Sequence, residues 1–175
     1  TFKQLAPAGE ISIANSSETA TKYYDNVPFL NISSEAATEI SLTTPILPIE
    51  TLAEITGKDY DETTGSLLDS GNPTIKYFAL AYRLMFTDGS YRYVVRHKGS
   101  FVVGEESSKS KDDSTDTTNQ TFTYTSINTT HEFTKTNKSS KAIVVDERDG
   151  KCDVSTWFTD VVTPDNIKAK TTPSV

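Results

Sequence analysis

Among 175 residues there is one cysteine, Cys152, so no intrachain disulfide can form. That fits a reducing compartment, or a fold that holds without staples. Long apolar runs are also missing. The longest, Tyr77 to Tyr82, is six residues and aromatic at both ends, against the ~20 that a membrane-spanning helix needs. The start, Thr1-Phe2-Lys3, carries neither an initiator Met nor an apolar signal core, and the expectation is that something precedes it. Positive charge is scarce: 17 Lys and Arg against 24 Asp and Glu give a net charge of -7. Bulk charge therefore argues against nucleic-acid binding, which needs clustered Lys and Arg on phosphates. A local basic patch remains open.

Apolar residues are themselves few, at 35%. Leu, Ile, Val and Phe make up about a fifth of the chain, near the level where order becomes marginal. Ser and Thr fill about another quarter. A core exists, but it is thin. Either the sheets bury one face and expose the other, or the core is completed against further copies of the chain. Five Asn-x-Ser/Thr triplets, at Asn15, Asn31, Asn119, Asn128 and Asn137, read as products of this composition rather than as glycosylation sites, since nothing else marks a secretory route.

The patterning is mostly period two. Glu10 to Ser16 alternates with Ile11 and Ile13 on one face, and Thr38 to Thr44 with Ile40 and Leu42. Tyr23 to Pro28 reads as a turn-rich connector between them. Pro48 opens a short helix on which Ile49, Leu52 and Ile55 recur, and Gly57 closes it in a left-handed cap. Lys58 to Pro73 reads as loop. Ile75 to Phe86 and Tyr91 to Gly104 flank Asp88-Gly89, which predicts a hairpin with a two-residue turn. If Thr87 pairs with Ser90, one face carries Leu80, Tyr82, Leu84 and Phe86 against His97, Val95, Tyr93 and Tyr91. The other then carries a basic stripe of Arg83, Arg92 and Arg96. Gly99 is expected to bend or bulge the return strand.

Residues 104–120 contain no apolar side chain between Gly104 and Gln120. They hold Glu105, Glu106, Asp112, Asp113 and Asp116 against only Lys109 and Lys111. A loop of this length in a compact domain is usually functional or disordered. Thr121 to Ile127 follows as a strand with Phe122 and Tyr124 on one face, then a short strand Ile143 to Val145. Asp153 is placed to cap a second helix whose stripe is Val154, Trp157, Phe158 and Val161, stopped by Pro164. The expected architecture is mainly β (α+β): an antiparallel, β-sandwich-like body over 1–164, one or two short flanking helices, the long loop, and a flexible tail over 165–175.

Chemistry-bearing motifs are sparse. His97 and His131 are far apart and in no metal-ligand spacing; His97 reads as sheet-packed and His131 as a surface residue. Cys152 precedes the second expected helix, where a thiolate would be favoured, but a lone cysteine there is more often a small buried hydrophobe. Neither a nucleophile elbow nor a phosphate-cradling glycine loop occurs. Ser108 and Lys111 match Ser-x-x-Lys only within low-complexity sequence. Asp112, Ser114 and Asp116 have the first spacings of a calcium loop, but Thr117 and Thr123 stand where Gly and Glu are needed. No catalytic, cofactor or metal residue is assigned, and the chain reads as a non-enzyme. The arginine stripe has three readings: a solvated face, a contact for acidic side chains of another copy, or a phosphate contact.

The order of these pieces carries a resemblance. The strand-and-helix stretch Ile40 to Gly57 comes first, then Phe78-Ala79-Leu80-Ala81-Tyr82-Arg83, Asp88-Gly89-Ser90-Tyr91-Arg92-Tyr93 and Lys98-Gly99-Ser100-Phe101. The acidic loop, Thr121-Phe122-Thr123-Tyr124-Thr125 and Trp157 to Pro164 follow. Over roughly residues 10–164 this resembles the major tail protein family of long, flexible-tailed bacteriophages, as does the Tyr23-Tyr24-Asp25-Asn26 connector. Members usually have a further stretch, including a strand, before the position of Thr1. The resemblance implies a virion structural protein, made in the bacterial cytoplasm. It would assemble as hexameric rings stacked into a tube, with inner sheets joined around a channel for DNA. Partners would be further copies and other tail proteins, with DNA passing unbound and no membrane. An acidic channel repels phosphates within a Debye length of ~8–10 Å, which suits passage. On this reading the loop Glu105 to Asp116 docks on a neighbouring subunit, near the arginine stripe. Two other classes fit the residues: a β-sandwich binding or adhesin module, and an enzyme with dispersed carboxylates.

Overall fold

A computed structural model of the chain describes residues 2–6, 9–24, 27–107 and 119–171; for 16–24, 27–35 and 105–107 it describes the backbone alone. The elements in chain order are β1 (Glu10–Tyr24), β2 (Val27–Pro45), α1 (Ile49–Thr56), β3 (Asp59–Asp61), β4 (Ser66–Leu68), β5 (Phe78–Met85), β6 (Tyr91–Ser107), β7 (Asn119–Ser126) and β8 (Ala142–Asp146), followed by a 3-10 turn over Glu147–Asp149. The fold is mainly β and antiparallel throughout, as expected. Six strands form one sheet in the order β1-β2-β7-β6-β5, with β8 also paired to β6; β3 and β4 form a small second sheet.

Alternation explains where the first core lies. Ile13 pairs with Ile40, Ile40 with Tyr124, and Tyr124 with Phe101; Leu42 pairs with Phe122 and Phe122 with Val103. Directly opposed residues share a face, so these side chains converge on one side of β1-β2-β7-β6. Ile40, Phe122 and Tyr124 are fully buried, and each such side chain contributes roughly 1.5–3 kcal/mol. Helix α1 closes this face with Ile55 and Leu52. Its C-terminal end is as the sequence predicts, with Gly57 (φ 70°) donating its N–H to the Ala53 carbonyl; Pro48, expected in the first turn, stands just before it as the N-cap. A Cβ on Gly57 would fall 1.8 Å from the Thr74 carbonyl oxygen, so only glycine fits. Ile49 is 48% exposed. A three-residue step lags the helical turn by about 60°, and two steps carry Ile49 off the arc held by Ile55.

Among the described residues, the other face is covered toward β5 and β8. There Tyr93, Val95, Ala81, Ile143 and Val145 pack under Trp157 and Val154, Val161 and Val162 of the C-terminal segment. Trp157 is 1% exposed and meets Tyr93 edge-on at 5.7 Å. β6 is thus divided. Its first half lies between β5 and β8, covered on both faces; its second half pairs with β7 and is covered on one.

The structure corrects several expectations. Phe86 N–H donates to the Ser90 carbonyl and Gly89 N–H to the Phe86 carbonyl, with Gly89 at φ 83°. The loop therefore has three residues with a left-handed glycine, not two. Met85 pairs with Tyr91, Arg83 with Tyr93, Leu84 with Arg92 and Leu80 with Arg96, one residue away from the expected register. Such a slip exchanges faces, so Arg83 lies opposite in facing to Arg92 and Arg96, and the three-arginine stripe does not exist. The second helix is also absent. Residues 155–159 form successive turns, with Trp157 N–H on the Val154 carbonyl and Thr159 N–H on the Thr156 carbonyl. Asp153 still caps the start, accepting from Ser155 N–H at 3.0 Å.

Residues 58–73 contain the β3–β4 hairpin. β6 runs on to Ser107 and β7 begins at Asn119, with Glu106 paired to Gln120, so the ends of the expected loop are strand. The expected tail is fastened through residue 170. Asp165 accepts from the N–H groups of Thr134 and Lys135, Asp153 N–H donates to the Lys168 carbonyl, and Lys170 N–H to the Lys151 carbonyl. Gly99 does sit at a bulge: Phe78 pairs with Gly99 but Leu80 with Arg96, leaving one extra residue on β6.

Candidate interaction surfaces

Opposite the first core, the sheet β1-β2-β7-β6 presents Glu10, Ser12 and Ala14, then Glu39, Ser41 and Thr43, then Thr121, Thr123 and Thr125, then Ser100 and Val102. All are exposed or half-exposed. Period-two alternation places hydroxyls here because the apolar partner of each pair is spent on the core. The two charges on these positions are both carboxylates, and no Lys or Arg occupies any of them.

This sheet has two open margins. Among the described residues, β1 has no backbone partner on the side away from β2. Beyond Gly99, β6 likewise has none among the described residues on the side away from β7. Three antiparallel steps separate β1 from β6, so these margins run in opposite directions. In addition, Ser17–Tyr24 of β1 pair with Val27–Glu35 of β2, beyond the point where β7 stops against Thr38. This part of the hairpin is a two-stranded arm with no third strand among the described residues.

The arginines have separate fates. Arg92 makes a two-pronged ion pair with Asp146, Nε to Oδ1 at 2.6 Å and Nη2 to Oδ2 at 2.8 Å, and lies over the Phe86 ring; Arg148 covers the same ring at 4.1 Å. The Arg92 hydrogen bonds hold the Asp146 carboxyl below its ordinary range. Arg83 stacks on Tyr91, 4.4 Å from the ring centre. Arg96 is half-buried beside Tyr82 and Tyr124. The side chains of Glu105 and Glu106, and all of Lys109, Lys111, Asp112, Asp113 and Asp116, lie outside the described residues, and with them the calcium-loop and Ser-x-x-Lys spacings.

His97 is spent on structure. Nδ1 lies 3.2 Å from the Ser140 carbonyl oxygen and Nε2 3.0 Å from that of Val162. It packs against Phe133, whose ring His131 meets edge-on. Cys152 lines a shallow depression of about 310 Å³ with Arg92, Val144, Val145, Asp146, Asp149 and Lys151. Burial pushes its thiol up, with the Asp153 charge adding to the effect, the reverse of an activated thiolate. Among the described residues no three His, Cys, Asp or Glu side chains converge as a metal would need, and no helix is long and apolar enough to cross a membrane. Sequence reasoning missed the open margins and the arm, since strand ends and pairing partners leave no local signal.

No protein-family model, curated protein or solved structure matches the chain.

Proposed function

We propose that the chain is a structural subunit of a phage tail tube, assembling into hexameric rings that stack around a channel for DNA. The carrying observation is the sheet β1-β2-β7-β6, with a hydroxyl and carboxylate face and two margins of opposite direction that are unpaired among the described residues. Placing β6 of one copy beside β1 of the next continues the antiparallel alternation across the boundary. A ring of such contacts closes without edges, which is the usual remedy for exposed strand edges. The bare face then lines the channel. Its hydroxyls hydrogen-bond water, and Glu10 and Glu39 repel phosphates at short range.

The arm supports the same reading. An isolated two-stranded ribbon is marginally stable in water. One of this length extends about 25–30 Å beyond the sheet, and in a stack it lies against the next ring. The resemblance in residue order to major tail proteins is the other support, and it supplies the ring size, the further tail-protein partners and the virion location. The segment Glu105 to Asp116 is retained as a contact to a neighbouring subunit, no longer directed at an arginine stripe. Deleting 107–117 then abolishes assembly while leaving the monomer folded.

The deciding experiment is negative-stain microscopy with sedimentation of the purified full chain at high concentration. Rings or tubes are expected. Uniform monomers up to the solubility limit would overturn the reading in favour of a binding or adhesin module.

A further inference from the structure

Each strand of an antiparallel sheet turns alternate residues' backbone groups to its two sides. On β6, one step before the Gly99–Ser126 pair, the Lys98 carbonyl accepts from Ile127 N–H. Ser100 and Val102 therefore address β7, and the N–H and C=O groups of Phe101 and Val103 turn to the open margin. At the other end of the sheet, the Thr43 carbonyl accepts from Gly9 N–H. Thr43 and Ser41 thus address β1 through Glu10 and Ser12, and the backbone groups of Ile11 and Ile13 turn outward. Among the described residues, none of these four has a backbone partner on its outward side.

The same four residues face the first core. Phe101 is buried in it; Ile11, Ile13 and Val103 pack against it and stay half-buried. The match follows from an even number of strands: with four, both margins offer their free groups at core-facing positions. Two such sheets can join edge to edge with core face running into core face. Neither margin carries the guards that keep edge strands single, since Glu10 to Ala14 and Ser100 to Val103 contain no proline and no lysine.

We propose that β1 of one copy adds to β6 of the next in one register, with Ile13 opposite Phe101 and Ile11 opposite Val103 as hydrogen-bonded pairs. The register rests on the side-by-side contact of the tail-tube reading and fixes how that contact is made. Apolar matching selects it. A slip of one residue mismatches both the face and the backbone groups. A slip of two in one direction sets Asn15 against Phe101. In the other it sets Ile13 against Gly99, where Phe78 already pairs. Ser12 then lies opposite Val102 on the hydroxyl face, where both are exposed. That pair is not hydrogen-bonded, so its Cα atoms come within about 4.5 Å.

The experiment uses the full chain with Cys152→Ser, Ser12→Cys and Val102→Cys, concentrated under reducing conditions and then oxidised. Within one chain three strand steps of ~4.8 Å separate the two positions, so a disulfide can form only between copies. Covalent oligomers are expected on a non-reducing gel, in a ladder that stops at the hexamer. Replacing Ser12→Cys by Ala14→Cys puts the thiols on a diagonal of about 7–8 Å, and the yield falls about tenfold or more. A ladder running past the hexamer keeps the register and removes the closed ring. Rings or tubes under the microscope with no cross-link, or with equal cross-linking by both pairs, would overturn the register and leave the tube reading standing. Wild-type monomers up to the solubility limit would overturn both. Should the cysteines disturb assembly, hydrogen exchange on the wild type decides. The amides of Ile11, Ile13, Phe101 and Val103 gain about a hundredfold protection on assembly, and unchanged exchange there overturns the ladder.

Discussion

The hydroxyl of Tyr124, on β7, crosses β6 at Gly99 and donates to the carbonyl of Phe78, on β5, at 2.8 Å. The crossing needs the glycine. A Cβ at position 99 would lie 2.4 Å from Cζ of Tyr124 and 2.5 Å from the Thr125 carbonyl oxygen. The β6 bulge, the ring and the strand-end carbonyl thus form one unit. Gly99→Ala is expected to destabilise the fold by about 1–3 kcal/mol through overpacking. Tyr124→Phe removes a hydrogen bond and strands a carbonyl, costing about 1–2 kcal/mol. Urea denaturation measures both. The double variant should cost less than the sum, because without the hydroxyl the ring is free to shift from residue 99.

The C-terminal segment holds the second core through Trp157. Its side chain is fully buried against Tyr93, with Val95 beneath. Trp157→Ala is expected to cost about 3–5 kcal/mol, a large share of the roughly 5–15 kcal/mol that holds a domain folded. Chemical denaturation, with Trp157→Phe as a milder companion, reads the loss. A change within 0.5 kcal/mol (roughly the scatter of surface substitutions) would mean that this segment does not cover the sheet.

These two sites show what the sequence made legible. Phe122 and Tyr124 alternate with threonines, so the two-residue period alone placed them together, and β7 was readable with its inward face. Helix α1 was readable because Pro48 and Gly57 act through their own backbone geometry. The β5–β6 hairpin was readable in existence but not in register. Asp88-Gly89 serves both a two-residue turn and a three-residue loop with glycine in the left-handed position, and the choice decides which face every arginine takes. The segment around Trp157 misled for another reason. A stripe at 154, 157 and 161 is satisfied by successive turns lying on a sheet, since burial constrains side-chain direction and not the i to i+4 bonding pattern. The Arg92–Asp146 pair was invisible because the partners are 54 residues apart.

That pair gives a pH prediction. Hydrogen bonds from Arg92 lower the folded-state value of Asp146, so the folded chain releases that proton more readily than the unfolded one. The stabilisation is fully present above the unfolded carboxylate value of about 3.9 and is lost as pH falls through the lowered folded value. Wild type is therefore more stable than Asp146→Asn at pH 7, and the gap narrows below about pH 4. Denaturation midpoints of both proteins across this range test it. A gap that does not depend on pH would show that the pair contributes through packing alone.

The bare face of β1-β2-β7-β6 carries the last prediction, which rests on its lining a channel. Glu10 and Glu39 are its charged residues, both exposed, on adjacent strands. Neither contributes to the core, so Glu10→Lys with Glu39→Lys leaves the fold intact, and a tube, once formed, should still form. Its wall then changes from repelling phosphates to attracting them. Six copies would bring twelve lysines per ring in place of twelve glutamates, and every phosphate neutralised releases counterions. Assembled variant tubes are expected to retain short duplex DNA at low salt and release it steeply as salt rises, while wild-type tubes retain none. Cosedimentation of labelled DNA with tubes measures this directly. Equal retention by both tubes would place this face at a subunit contact, because a surface that DNA never meets cannot change how DNA is held.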